Sequence, residues 1–285
     1  MRTPVRGLAA LVSLLIAASA PADPLAAGAD HSFEDHSLEV HAGEDLQQIT
    51  LYGANLAGID LSSGDLRLAV LSDALLASAN LRHALFDGAN LAGADLSGAY
   101  LSGAKARWTG FVGVVLTDAA FDGADLRFSS LRDAEAEGAD FTGAQIDLSD
   151  LRGAQLMGAT LDGVDAAWSR FDGADLEGAS LRDTEFVRTS FRDANLVSSD
   201  FVGADLRSAD FRGASVAGAD LSDVTNAASA RWDEASYDDF SLLHPDIDES
   251  VMIYLPEPEA WVGLLAGVTM LGCTERRGRA QRFAA

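Results

Sequence analysis

Three histidines, His31, His36 and His41, recur every five residues and alternate with Asp30, Glu34, Asp35, Glu39 and Glu44. Imidazole nitrogen and carboxylate oxygen at this density form a ligand set suited to a divalent metal. The same segment also reads as a solvated acidic cap or lead-in, because no ligand geometry follows from a stretch of open conformation. Elsewhere the chemistry-bearing residues are sparse. His83 and His244 are the other histidines, Lys105 is the lone lysine, and Cys273, the single cysteine, lies in an apolar run. A disulfide framework and CxxC redox chemistry are therefore excluded. No GxSxG, HExxH or phosphate loop occurs. Carboxylates stand in rows, but rows facing water have nothing that sets one pKa against another. The expectation is a protein that is not an enzyme, with no catalytic residue and no cofactor.

Composition narrows the partners. Twenty Lys plus Arg against 44 Asp plus Glu give 285 residues a formal charge of −24. Such a chain repels nucleic-acid phosphates, so no nucleic-acid partner is expected. What must position its side chains is a repeat of unusual length. From Leu46 to Leu221 every fifth residue is apolar: of 36 positions, 22 are Leu, nine Phe, three Ala, one Ile and one Val. A helix of 3.6 residues per turn would smear that period around its circumference, and a strand would send alternate members to opposite faces. The chain must turn once per pentad. Two residues before each centre stands Ala or another small residue, the residue directly before is often Asp or Asn, and Gly is frequent two places after.

Those pentads, as in ANLAG at 89–93, ADLSG at 94–98 and ADLEG at 174–178, resemble the A(D/N)LXX motif of the pentapeptide repeat family. The resemblance covers about 180 residues. It implies an all-β fold, a right-handed quadrilateral β-helix with four pentads per coil and the central and small residues inward. About nine coils at roughly 4.8 Å would make a rod about 43 Å long. Its open ends need covers. Residues 23–45 are the candidate for one. Residues 226–255 form a cap and linker at the other, and the part at 230–249 is similar to an ending on exported pentapeptide proteins, with Ser241 and Ile247 replacing its usual Thr and Phe.

The two termini read as addresses. Residues 1–22 carry Arg2 and Arg6, an apolar stretch from Leu8 to Ala18, and small residues around Ala20 and Ala22, the pattern of a signal peptide cleaved after Ala22. Residues 256–285 contain Pro256, Glu257 and Pro258, then Trp261, a 14-residue apolar run ending at Cys273, and Arg276, Arg277 and Arg279. That run is shorter than the roughly 20 residues of a comfortable membrane span. The order of triplet, apolar run and arginines resembles the PEP-CTERM sorting signal. The resemblance implies an exosortase-type processing enzyme as partner, transient inner-membrane anchoring, and delivery to the envelope or exterior of a Gram-negative bacterium. Glu275 and the residues after Arg279 depart from the family pattern.

Wrapping the pentads at 20 residues exposes one anomalous outward column. Where other columns carry Gly, Ser, Ala or Asp two places after the centre, this one reads Leu68, Gly88, Trp108, Phe128, Leu148, Trp168, Arg188. Trp108, Phe128, Leu148 and Trp168 form a candidate interaction stripe about 14 Å long, suited to sugar rings or a protein. Both Trp pentads have Ala at the centre (Ala106 and Ala166). The alternative is therefore that each Trp folds inward to fill missing volume, or that an altered turn packs its own side chains. Arg152, Asp172, Arg192 and Arg212 share another column and are expected to pair along it.

The function expected is an exported scaffold or interaction protein of the envelope or extracellular matrix, binding protein or exopolysaccharide, with a homodimer through the rod ends left open. One alternative is an acidic DNA mimic acting on DNA gyrase, since residues 23–255 hold 41 acids against 14 bases. The other is a secreted divalent-metal binder.

Overall fold

The computed structural model describes residues 42, 43 and 45–256. The signal peptide, the histidine-rich lead-in with His31, His36 and His41, and the tail beyond Pro256, including Glu257, Pro258, Trp261, Arg276, Arg277 and Arg279, lie outside the described residues. No helix among the described residues is long and apolar enough to cross a membrane.

Each pentad makes one side of a coil. The centre and the small residue before the next centre are buried, save the partly buried Leu56 and Ile59, while the three other positions face solvent to varying degrees. Parallel bridges join residues 20 apart without interruption from Asp45↔Asp65 to Asp205↔Thr225. The backbone is satisfied from coil to coil. The Leu46 N–H donates to the Asp65 carbonyl at 2.8 Å, and the Val70 N–H returns to the Ile49 carbonyl at 2.8 Å. Between them a β-turn closes the corner, with the Ile49 N–H donating to the Leu46 carbonyl at 3.2 Å. The third residue of each corner needs a left-handed backbone, as at Gly178 with φ +66°, the conformation Gly adopts without steric cost. Asp or Asn before the centre caps the corner from its other side. The Asp140 carboxylate, for example, accepts the Thr142 N–H at 2.9 Å, an Asx-turn that accounts for the motif's polar residue.

The core is four stacked columns of centres. Toward the C-terminal end the phenylalanines condense: Phe191 packs on Phe171 and Phe211 with centroids 5.1 and 4.9 Å away, and meets Phe186 edge-on at 4.9 Å. Trp232 continues this column, stacked on Phe211 at 4.3 Å.

The strict period ends at the cap. The next bridges, Asp210↔Arg231 and Ser215↔Ser236, span one residue more than a coil, and a short 3-10 turn at Ala227–Ser229 takes up the excess. One two-residue strand, β1 (Asp220–Leu221), precedes that turn, and three follow it: β2 (Ser236–Tyr237), β3 (Leu242–Leu243) and β4 (Ile253–Tyr254). β1 pairs with β3 and β2 with β4, both parallel. Asp238 and Ser241 knit the cap to the coil below. The Asp238 carboxylate accepts the Gly218 N–H at 2.9 Å, and the Ser241 hydroxyl donates to the Val216 carbonyl at 3.0 Å. Burial would raise the Asp238 pKa, but hydrogen bonds from Gly218, Ser241 and Phe240 hold it below the usual carboxylate range. Ser241 thus supplies the hydroxyl at the position where the similar ending has Thr. Ile247, in place of Phe, is buried.

Candidate interaction surface

The third corner residue points away from the rod axis, and this decides where the anomalous column goes. Trp108, Phe128, Leu148 and Trp168 are 59, 43, 49 and 52% exposed. The inward alternative for the two tryptophans does not occur. Beside the small centres Ala106 and Ala166, the same inward column carries Phe86 and Phe186 one coil away.

The backbone at these positions is unusual. Leu68, Trp108, Phe128, Leu148, Trp168 and Arg188 all have φ between +54° and +62°. For a non-glycine residue that conformation costs about 1–2 kcal/mol, and for bulky side chains it is a true outlier. Corners elsewhere place Gly, Asp, Ser, Asn or other polar residues there. Strain of this kind persists only where the surroundings over-determine it.

The surroundings include a ladder of hydroxyls. The inward residue after each of the last five members of the column is Thr109, Ser129, Ser149, Ser169 or Thr189, all buried. Thr109 donates to the Phe86 carbonyl at 2.8 Å, Ser149 to Leu126 at 2.7 Å and Thr189 to Ala166 at 2.7 Å, each reaching the preceding coil. Ser169 bonds the Ala166 carbonyl of its own corner at 2.6 Å. Each such bond contributes about 0.5–1.5 kcal/mol. Sequence reasoning passed over these residues, although five successive hydroxyls in a position otherwise dominated by Ala were visible.

The side chains form a continuous ridge. Trp108 and Phe128 stack with centroids 5.2 Å apart and planes 9° from parallel. The Arg188 guanidinium lies over Trp168 at 4.5 Å, and that of Arg107 lies 5.4 Å from the Trp108 centroid. At the other end Leu68 leans across the Gly88 corner, where an added Cβ would sit 2.8 Å from Leu68 Cδ2. Ring faces of Trp108, Phe128 and Trp168 are thus engaged within the ridge.

Ion pairs flank it. Arg107 clamps Asp87 through its Nη2 at 2.6 Å, and Arg127 clamps Asp125 through Nε and Nη2 at 2.8 and 2.7 Å. Asp147 differs: burial and then the negative charge of Asp165 push its carboxyl above the usual range. The expected pairing along the column of Arg152, Asp172, Arg192 and Arg212 is replaced by pairing with the neighbouring column of bridge residues. Arg152 grips Asp150, Arg170 grips Asp172, and both Arg192 and Arg212 converge on Asp210. For Arg152, Asp172 and Arg212 the partner is the bridge residue two places away, whereas Arg192 reaches Asp210 on the next coil. No cluster of three or more metal-binding side chains exists among the described residues.

A family model described as "Pentapeptide repeats" matches the chain in eight copies, over residues 69–105, 111–146, 149–186 and 189–225, together just over half its length. Among solved structures the chain is similar to HetL, a pentapeptide repeat protein involved in heterocyst differentiation regulation from the cyanobacterium Nostoc sp. strain PCC 7120. That likeness has 29% identity and a TM-score of 0.57, covering 69% of this chain and 90% of HetL. It is also similar to QnrB1, a plasmid-mediated fluoroquinolone resistance protein, at 17% identity and a TM-score of 0.42, covering 81% of this chain and 98% of the other. No curated protein matches the chain. The family match and the likeness to HetL imply a right-handed quadrilateral β-helix.

Proposed function

Because the chain belongs to the pentapeptide repeat family, whose members are generally non-enzymatic scaffold or interaction proteins, we propose that it is an exported, non-catalytic rod of the cell envelope or extracellular matrix. The rod has about nine coils with a cover at each end, and it holds its partner along the ridge. One observation carries this reading: Trp108, Phe128, Leu148 and Trp168 stay solvent-facing in a backbone conformation that disfavours them. Packing within the rod does not require them, since the other outward columns manage with small or polar corner residues.

Export rests on the two terminal segments, whose apolar runs, small residues and arginines are ordered as addresses. The test is fractionation of cells carrying the full chain, or a variant with Pro256, Glu257 and Pro258 replaced by Ala, in hosts with and without exosortase. The expected result is a shortened, released protein only with exosortase and an intact triplet. A full-length cytoplasmic chain in every host would overturn export. The second reading, an acidic rod acting on DNA gyrase, draws on the acid excess of the repeat region. Inhibition of supercoiling by the purified chain, combined with cytoplasmic retention, would favour it.

A further inference from the structure

The acid excess is not spread around the rod. Five outward columns are centred on the ridge, those of Asp125, Arg127, Phe128, Ser130 and Arg132; between residues 45 and 225 they hold eleven acids and eleven bases. The seven remaining columns hold seventeen acids and two bases, Arg82 and Arg182. The net charge of the repeat region therefore sits entirely on the side away from the ridge. On the ridge side the charges are interspersed and largely clamped as the Arg107–Asp87, Arg127–Asp125 and Arg152–Asp150 pairs.

We propose that this neutral side packs lengthwise against the same side of a second copy of the chain, with the two acidic sides facing outward. The proposal rests on the reading of the ridge as an interaction surface and names its partner. Two features select a second copy. The first is charge: two acidic sides repel each other, whereas two balanced sides with alternating Asp and Arg offer each other complementary partners. The second is spacing. From Leu68 to Arg188 the ridge advances by six coils of about 4.8 Å, roughly 29 Å in all. A surface that meets such rungs in step over that length has the same coil spacing, and a second rod supplies it. Ring orientation points the same way. The Trp108–Phe128 stack and the Arg188 guanidinium over Trp168 already occupy ring faces on which a sugar ring would lie.

Sedimentation velocity of the full chain over roughly 1–100 μM tests the proposal. The expected result is a dimer that dissociates at least ~10-fold more readily in a Trp108→Asn/Trp168→Asn variant. Asn tolerates the left-handed corner, so the variant keeps its fold, and circular dichroism checks that it has. Both proteins carry the same termini, so their difference reports the ridge. A Glu135→Lys change on the acidic side should leave the dimer unchanged. A monomeric wild-type chain across the range, or a dimer indifferent to the tryptophans, overturns the proposal. If a monomeric wild type binds envelope polysaccharide or an envelope protein and the double variant does not, self-association is wrong while the interaction-rod reading stands.

Discussion

Replacing Leu148 by Asn isolates the energetic status of the ridge. Leu148 has φ +59° and is 49% exposed. Full burial of a Leu side chain contributes about 1.5–3 kcal/mol, so roughly half of that, about 0.8–1.5 kcal/mol, is at stake. Against it stands the left-handed backbone, which costs a branched apolar residue about 1–2 kcal/mol and which Asn adopts more readily. The two terms nearly cancel, and Leu148→Asn should change the unfolding free energy by no more than about 0.5 kcal/mol. Leu151, three residues on and 1% exposed, provides the contrast: Leu151→Ala removes a core side chain and should cost about 2–5 kcal/mol. Urea titration followed by circular dichroism reads both, with equal slopes required because repeat arrays can lose cooperativity. If Leu148→Asn lowers stability by more than about 1.5 kcal/mol, the ridge is a packing element and the case for a contact surface fails.

Phe191 lies among four other core phenylalanines, Phe171, Phe186, Phe201 and Phe211, so Phe191→Ala should cost about 3–5 kcal/mol, with hydrogen exchange rising first in residues 171–231. Ser149→Ala removes the hydroxyl that spans to the Leu126 carbonyl and should cost about 0.5–1.5 kcal/mol in the same titration. Asp147, whose carboxyl is held high by burial and by Asp165, binds its proton more readily folded than unfolded, so its ionisation weakens the fold at neutral pH. Asp147→Asn should raise the thermal midpoint at pH 7, and the gain should vanish by about pH 3, below the ordinary Asp value near 3.9; a gain that persists there would sink this account. Asp65, lowered by its hydrogen bond to Arg67, and Asp210, lowered by Arg212 and Arg192 against its own burial, act oppositely. Their stabilisation is complete above the unfolded pKa and is lost as pH falls through the folded one, so Asp210→Asn should destabilise at pH 7 and approach wild type in strong acid.

The solenoid was legible because one residue in five has to fill the interior, and Leu46 through Leu221 keep that appointment with few exceptions. The ridge column was legible too, since wrapping at 20 residues needs no coordinates. Its direction was not. Small centres at Ala106 and Ala166 made an inward Trp a fair alternative, and only the corner backbone, which aims the third residue outward, separates the two. The lateral pairing of Arg152 with Asp150 was hidden for a related reason: column arithmetic gives the distance between coils but not the shorter reach across a corner. The one-residue excess between Asp210 and Arg231 was equally hidden, because apolar spacing in the cap no longer reports turns. Balanced and acidic sides emerge once the outward positions are known.

A coil of four equal sides gives every residue two coordinates, a height set by how many twenties precede it and an angle set by the remainder. Length changes in the gene therefore have sharply different results. Removing 20 residues from the repeat shortens the rod by one rung and leaves every column aligned, so Trp168 still stands above Trp108. Removing five between Phe128 and Leu148 takes away only one side, and everything downstream rotates by a quarter turn. Leu148 and Trp168 would then leave the corner that carries Trp108 and Phe128, their hydroxyl supports travelling with them, while each pentad remained well formed. Such a protein would fold and bury its leucines as before, yet carry half a ridge on each of two faces. Descent by whole coils is the one mode of growth that lengthens this molecule without scrambling its surface.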